Sequence, residues 1–359
     1  MTFKFGLCAD EILQDTGELT AVIDLDYVKY SVASVGDDRY IEVFLKESGK
    51  KVGRFPGKTE WWGVKGNGGL FKSSNEKRIA KGLEPYSVDD FEIVPYSEPK
   101  SDQPIEFILH SAKQMILSDL EKSGTKQYIG YYGSGESFRV GLSTLKQYKG
   151  QRELLAKPSQ LEEVTEYLAK RFKGKKITGI EADDKCVMEC WGNPNKFIIG
   201  IDKDYYGSGA KFFNPNYPDE GIIDTNCFGK LWLETKETPS GRKSEKIRGY
   251  GRMFKMFQVC SEDTVDNYKA NCYSDVKWGA KSAYKALVDC QNDKELFEAA
   301  YGVFKKLYPE PKKITGWRGD EIEIDAMYVF QEMMNMAHLH RWEGDYVNVK
   351  DVMIKLGVI

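Results

Sequence analysis

Three groups of acidic residues fall where this chain is expected to end a strand or open a helix. Asp24 and Asp26 close the apolar run at 20–26 (TAVIDLD), and Asp202 and Asp204 close the run at 196–204 with the same spacing. Alternate residues of a strand point to one side, so each pair is expected to share a face. Glu181, Asp183 and Asp184 (GIEADD) open a predicted helix directly after a strand, where the helix N-terminus offsets part of their repulsion. A single acidic pair at a strand end usually means a loop or a cap. Three clusters at equivalent strand ends bring together carboxylates that repel one another strongly unless cations join them. Oxygen donors select hard divalent ions, Mg²⁺ or Mn²⁺. The chain has three histidines, His110, His338 and His340, too few to expect a histidine-based centre. His338 and His340 stand two apart on a predicted helix and so do not share a face. Two metal ions ~3.5–4 Å apart can activate water and stabilise a leaving oxygen in phosphodiester hydrolysis, whereas one ion can hold a phosphate without cutting. The spacings allow either.

The elements that must position these groups follow from hydrophobic period. Residues 20–26 and 127–132 (QYIGYY) read as buried strands, with shorter ones at 177–180 and 196–201. Helical period runs through 103–122, at Ile105, Ile108, Leu109, Ala112, Ile116 and Leu120. Further helices are predicted at 159–172, with Ser159 and Glu162 as a capping box, and at 181–191. Alternating strands and helices imply an α/β fold with a mostly parallel sheet, whose sites lie beyond the carboxyl ends of the strands. Residues 37–55 read as a hairpin and 56–102 as irregular; 208–250 read as hairpins and loops. Helices are expected at 251–261, 280–290, 293–307, 321–340 and 349–357. Two regions result: an α/β core at 1–207, with an insertion at about 37–102 and a basic, aromatic segment at about 133–158, and a largely helical region at 208–359.

Composition limits the alternatives. The 359 residues are 41% hydrophobic and 30% charged, ordinary for a globular protein. The formal net charge of −3 suits a nucleic-acid-binding protein only if acids and bases are segregated on its surface. Cys8, Cys186, Cys190, Cys227, Cys260, Cys272 and Cys290 form no CxxC pair and no zinc spacing, and are expected to be free thiols. The first residues carry charges where a secretion signal needs an apolar stretch, and no apolar run approaches the ~20 residues of a membrane span. A cytoplasmic protein without a membrane partner is expected, with a monomer favoured.

The ordered set VIDLD, SFR…YKGQR, GIEADD, IGIDKD and EDTVDN resembles the 5′-nuclease superfamily of flap endonucleases and 5′-to-3′ exonucleases, in spacing most like the phage-encoded enzymes. The resemblance spans about 20–270. It implies a PIN-like core and a C-terminal helical region with a helix–three-turn–helix at 267–290, which grips duplex backbone without reading sequence. It implies two Mg²⁺ ions, with Mn²⁺ as substitute, held by Asp24, Glu181, Asp183, Asp184, Asp202, Asp204, Asp263 and Asp266. Asp26 would assist from behind. Asp24, Arg139, Lys149, Asp183, Asp184, Asp202 and Asp204 would be catalytic. Arg139, Lys146, Lys149, Arg152, Gly279 and Lys281 would meet nucleic acid, Arg139, Lys149 and Arg152 beside or within an arch or gateway at about 133–158. A potassium ion at the helix–hairpin segment is a further implication. The partner would be DNA with a free 5′ end or a 5′ flap, or an RNA/DNA hybrid, in a host cytoplasm if the chain is phage-encoded.

The chain departs from that pattern in three places. Tyr132 stands where many relatives have an aspartate, the glycine of the G-D-x-x-D-N motif is replaced, and the helix–hairpin pattern reads Lys277-Trp278-Gly279-Ala280-Lys281 with one glycine. Two other readings stay open: removal of RNA primers, and a catalytically weak DNA-binding protein of replication or recombination. Lys146, Tyr148, Lys149 and Arg152 suit a single-stranded 5′ end, by phosphate contact and stacking. Arg242, Lys243, Lys246 and Arg248 on a predicted exposed hairpin, and Lys305, Lys306, Lys312, Lys313 and Arg318 further on, are balanced between duplex contact and plain solvation. Gly133-Ser134-Gly135 lacks the Gly-Lys-Ser/Thr of a nucleotide-binding loop.

Overall fold

Residues 19–63, 68–237 and 243–359 are described by a computed structural model of the chain. The chain gathers into two units. One comprises the residues up to Val28, Lys113–Gly150 and Tyr167–Ile359; the other comprises Lys29–Ala112 and Gln151–Glu166. The boundary expected at residue 207 falls inside the first of these.

The first unit is built on a six-stranded sheet of β1 (Thr20–Asp24), β2 (Gln127–Gly133), β3 (Lys175–Ile177), β4 (Lys196–Ile199), β5 (Lys211–Phe213) and β6 (Ile223–Asp224). Its order is β3-β2-β1-β4-β5-β6, parallel throughout except for the antiparallel edge strand β6. The central strands are uninterrupted apolar runs because both faces are covered: Ala21, Val22, Ile23, Ile198 and Ile199 are fully buried. Helices that lie in the first unit, or run from one unit into the other, include α1 (Leu25–Val35), α2 (Ile105–Ser123), α3 (Leu161–Arg171), α4 (Ala182–Cys190), α5 (Gly251–Val259), α6 (Ala280–Leu287) and α7 (Asp293–Leu307). Another, α8 (Ala326–Ala337), carries Met333, Met334 and Met336 into the core, as its amphipathic pattern predicts. The chain runs outward from β1 through β2 to β3 and then returns to β4 beside β1. That reversal opens a crevice at the carboxyl ends of β1 and β4. This is the mostly parallel, helix-flanked sheet expected from the sequence.

Several elements end earlier than the sequence pattern suggests. The first strand stops at Asp24, because its Oδ1 accepts the Asp26 N–H at 2.9 Å and turns the chain into α1. Asp26 therefore lies in a helical turn and not on a strand face. β4 stops at Ile199 for the same reason: the Asp202 side chain caps a 3₁₀ turn at Lys203–Gly207, accepting the Asp204 N–H at 3.0 Å. The short strand expected at 177–180 lies at Lys175–Ile177. The helix expected at 321–340 is divided. Glu321–Ile324 alternates with period two and pairs with Lys312–Thr315 as a hairpin, and α8 begins only after Asp325 caps it. His338 and His340 consequently lie beyond that helix, both buried.

The second unit holds a three-stranded antiparallel sheet in which Asp37–Leu45 pairs with both Lys50–Phe55 and Phe91–Pro99. The hairpin was legible. The segment 56–102, expected to be irregular, contains helices Lys58–Trp62 and Gly69–Ile79 as well as that third strand. Pro95 breaks the strand signal, yet a proline is tolerated here because the strand is an edge. Val43, Phe55, Trp61 and Phe91 form its core. Ser159 does not cap a helix: its hydroxyl donates to Asp37 Oδ1 at 2.6 Å, and α3 starts at Leu161.

Candidate metal centre

The carboxylates meet at the crevice edge of the first unit. Asp24 is 7% exposed at the end of β1, and its Oδ2 accepts the Tyr205 hydroxyl at 3.0 Å. Burial, with the charge of Asp26 added, pushes the Asp24 carboxyl up to about 7. Asp26 Oδ1 accepts the Gly133 N–H at 3.0 Å, which ties the start of α1 to the end of β2. Glu181 is the N-cap residue of α4, and Asp183 and Asp184 lie in its first turn. Asp183 is pushed well above the carboxylate range by burial and by the charges of Glu181 and Asp184. The Tyr205 hydroxyl lies in the field of Asp24, Asp183 and Asp202 together, so three separate segments converge on it.

Two groups of carboxylate oxygens lie close enough to share an ion. Oxygens of Glu181, Asp183 and Asp184 fall within 4.8 Å of one another, as do those of Asp204, Asp263 and Asp266. Tyr148 joins the groups, its hydroxyl 3.0 Å from Glu181 Oε2 and 2.9 Å from Asp266 Oδ2. Lys149 does the same, with its ammonium on Glu181 Oε1 and 3.7 Å from Asp266 Oδ1. A left-handed backbone at Lys149 (φ 57°) sets up this contact, and its N–H donates to the Asp266 carbonyl at 3.0 Å. Burial alone would raise Glu181, but Lys149 and Arg139 outweigh it and hold the carboxyl down to about 2. In the second group Gln258 of α5 donates to Asp204, and Lys203 pairs with Asp263. Asp263 Oδ1 also accepts the N–H groups of Val265 and Asp266 at 2.8 and 3.1 Å, which fixes the turn between the two acids. Burial and the charge of Asp202 push Asp204 well up.

This donor set fits hard divalent cations. Every candidate ligand atom is a carboxylate oxygen. Burial first, and neighbouring carboxylates second, displace Asp24, Asp183 and Asp204 toward the protonated form, a cost that a bound cation would offset. The buried Tyr268 hydroxyl, in the field of Asp204, Asp263, Asp266 and Asp202, has no hydrogen-bond partner among the described residues. Asp202 is exposed at the mouth.

The basic residues divide differently from the sequence expectation. Arg139 is 1% exposed and spends its guanidinium inside the protein. Nη1 donates to Glu181 Oε2 and Asp184 Oδ2, both at 2.7 Å; Nη2 donates to Asp184 Oδ1 at 2.8 Å and to the His338 carbonyl at 2.6 Å. It orients two acids of the centre, and its buried Nε has no hydrogen-bond partner among the described residues. Lys146 is exposed in the first unit, and Arg152 is exposed in the second. Lys281 is exposed on α6 and pairs with Glu245 at 2.6 Å. Gly279 precedes α6 with an extended backbone, and a Cβ there would meet nothing within 4 Å, so its local geometry does not demand glycine. Arg248, expected on an exposed hairpin, is 6% exposed, bound to Glu220 at 2.5 Å and stacked on Tyr217 at 4.0 Å. Arg318 donates to the carbonyls of Ser143 and Val140. Lys243 and Lys246 are exposed, and Arg242 lies outside the described residues.

Tyr205, Gln258, Lys203 and Tyr268 were not anticipated. Each lies next to an acidic motif in sequence except Gln258, whose approach to Asp204 depends on how α5 packs.

No family model matches the chain, and no curated relative matches it. Among solved structures, a crystal structure described as T5 D15 protein co-crystallized with metal ions matches with a TM-score of 0.36 and 17% identity, over 69% of this chain and 90% of that one. At that degree of likeness the functional reading rests on the carboxylates themselves.

Proposed function

We propose that the protein is a metal-dependent nuclease, a 5′-to-3′ exonuclease or 5′-flap endonuclease that acts on DNA and leaves short 5′-phosphorylated products. The observation that carries this reading is the gathering of Glu181, Asp183 and Asp184 and of Asp204, Asp263 and Asp266 into two groups joined through Tyr148 and Lys149, with Asp24 and Asp202 facing the same Tyr205 hydroxyl as Asp183. Two Mg²⁺ ions, or Mn²⁺ in their place, would supply an activated water and charge stabilisation at the leaving oxygen. Asp24, Glu181, Asp183, Asp184, Asp202, Asp204, Asp263 and Asp266 would hold them. Tyr205 fixes one oxygen of Asp24, Arg139 and the His340 N–H fix Asp184, and Gln258 fixes Asp204. Lys149 lies at the seam between the two carboxylate groups, where it would meet a phosphate once an ion relieves it of Glu181. Lys146, exposed in the first unit, would guide the strand toward the centre, and the sequence likeness assigns nucleic acid to Arg152 as well. The sequence likeness assigns duplex backbone to Gly279 and Lys281, with a potassium ion at that segment.

The reading is tested by digesting 5′- and 3′-labelled duplexes, with and without a 5′ flap and with a 5′ RNA segment, in Mg²⁺. Early loss of the 5′ label, with the 3′ label persisting in long products, is the expected result. Release confined to the RNA segment would move the assignment to primer removal. One observation favours a non-catalytic DNA-binding protein instead: Tyr132 stands where many relatives of the resembled superfamily have an aspartate. Salt-sensitive binding of the same duplexes without cleavage would support it.

A further inference from the structure

A cavity of about 300 Å³ lies in the first unit, lined by residues of the 207–209 and 225–226 turns, α5, α7 and α8 and by Arg341. None of the clustered carboxylates of the metal centre lines it. Its volume is at the small end of the range found for organic-ligand sites.

The wall carries three cations. Arg252 is matched by Asp293 at 2.7 Å, and the Arg341 guanidinium makes two hydrogen bonds to Asp345, at 2.7 and 2.9 Å. Lys255 is different. Its ammonium lies on Nδ1 of His338, whose other ring nitrogen is 2.9 Å from Asp345. Burial and the neighbouring Lys255 hold His338 down to about 3, so the partner of the lysine is a neutral ring at neutral pH. Burial and Arg341 in turn depress the Lys255 ammonium to about 7. A lysine close to half protonated at neutral pH, facing a cavity beside two guanidinium groups with a neutral imidazole as its contact, gains its full charge when an anion settles against it.

The remaining wall suits a flat apolar body. Trp191 and Phe297 line it with Met256 and Met334, and the Arg341 guanidinium stacks 4.8 Å from the Trp191 ring. Trp191 is seated by Gly209: with φ +80°, a Cβ there would come within 2.7 Å of the ring. Thr225 and Asn226 add a hydroxyl and an amide. We infer that this cavity binds a nucleoside monophosphate, with its phosphate on Lys255, Arg252 and Arg341 and its base against Trp191 and Phe297. The inference does not depend on the hydrolytic reading.

Calorimetric titration of the full chain with thymidine and adenosine 5′-monophosphates, the uncharged nucleosides and inorganic phosphate tests it. One-to-one binding of a monophosphate is expected, weaker by about tenfold or more for the nucleoside and for inorganic phosphate. The same loss is expected in Lys255→Met and in Val352→Trp, where Val352 also lines the cavity and the larger ring would fill it without touching the lysine's charge. Binding should persist in Asp202→Asn/Asp204→Asn, which separates this site from the carboxylate centre. No binding of either monophosphate, equal binding of inorganic phosphate, survival in both cavity variants, or loss in the aspartate variant would overturn the inference.

Discussion

Arg139 carries the heaviest electrostatic load of any single side chain described at the centre. It is buried with Asp184, which is itself 0% exposed, and both guanidinium nitrogens that make contacts are satisfied within the protein. Removing one partner of such a pair leaves an uncompensated charge in a low-dielectric site, at a cost of about 3–5 kcal/mol. Arg139→Met is therefore expected to lower the denaturant midpoint by the equivalent of that amount. Arg139→Lys should recover only part of it, because an ammonium cannot form the fork to Asp184. A variant as stable as the natural chain, but with weakened DNA binding, would return Arg139 to the phosphate-contacting role the sequence suggested. The chemistry of this residue was legible in its motif; its orientation was not, since whether an arginine faces solvent or two buried acids depends on the packing of α4 and of the His338 segment.

Turns, more than strands, deliver the acids. Asp24 and Asp202 each terminate a strand by accepting an N–H two residues on, and Asp263 does the same in its own turn. Apolar runs and acidic ends are local signals, and they pointed to Asp24, Glu181, Asp183, Asp184, Asp202 and Asp204 at one sheet edge; Asp263 and Asp266 entered only through the motif likeness. Such signals missed these early terminations, which arise from side-chain bonds to backbone that compete with the strand ladder. The same limit hid the division of 321–340 into a hairpin and a helix, and the strand that carries Pro95. Non-local packing hid Gln258, which reaches Asp204 only because α5 is seated correctly. Two glycines permit that seating. Gly229 has φ +76°, and a Cβ on it would lie 1.8 Å from the Tyr250 carbonyl; Gly251, with φ +73°, opens α5 beside it. Gly229→Ala is expected to destabilise by more than ~1 kcal/mol in thermal or denaturant unfolding, from backbone strain and the close approach together. Gly279→Ala, where space is open, serves as the control and should leave the midpoint unchanged. Equal stability of the two variants would show that the approach of residue 229 to Tyr250 is not needed.

Across the whole chain the charge nearly balances, with 52 basic residues against 55 acidic, yet the balance is local in two senses. Acids of the centre outnumber the cations that touch them, and the cavity beside Lys255 has the opposite imbalance. A chain organised this way can bind a polyanion despite its net charge, provided cations enter the acidic edge. The most direct measurement is cleavage of a labelled duplex by the full chain in Mg²⁺ and in EDTA, with Asp202→Asn/Asp204→Asn purified in parallel. Cleavage that requires the metal and disappears in the double variant, while the variant remains folded, is the expected result. Cleavage that survives in EDTA or in the double variant, or none by the natural chain in either Mg²⁺ or Mn²⁺, would contradict the assignment of these carboxylates as the hydrolytic centre.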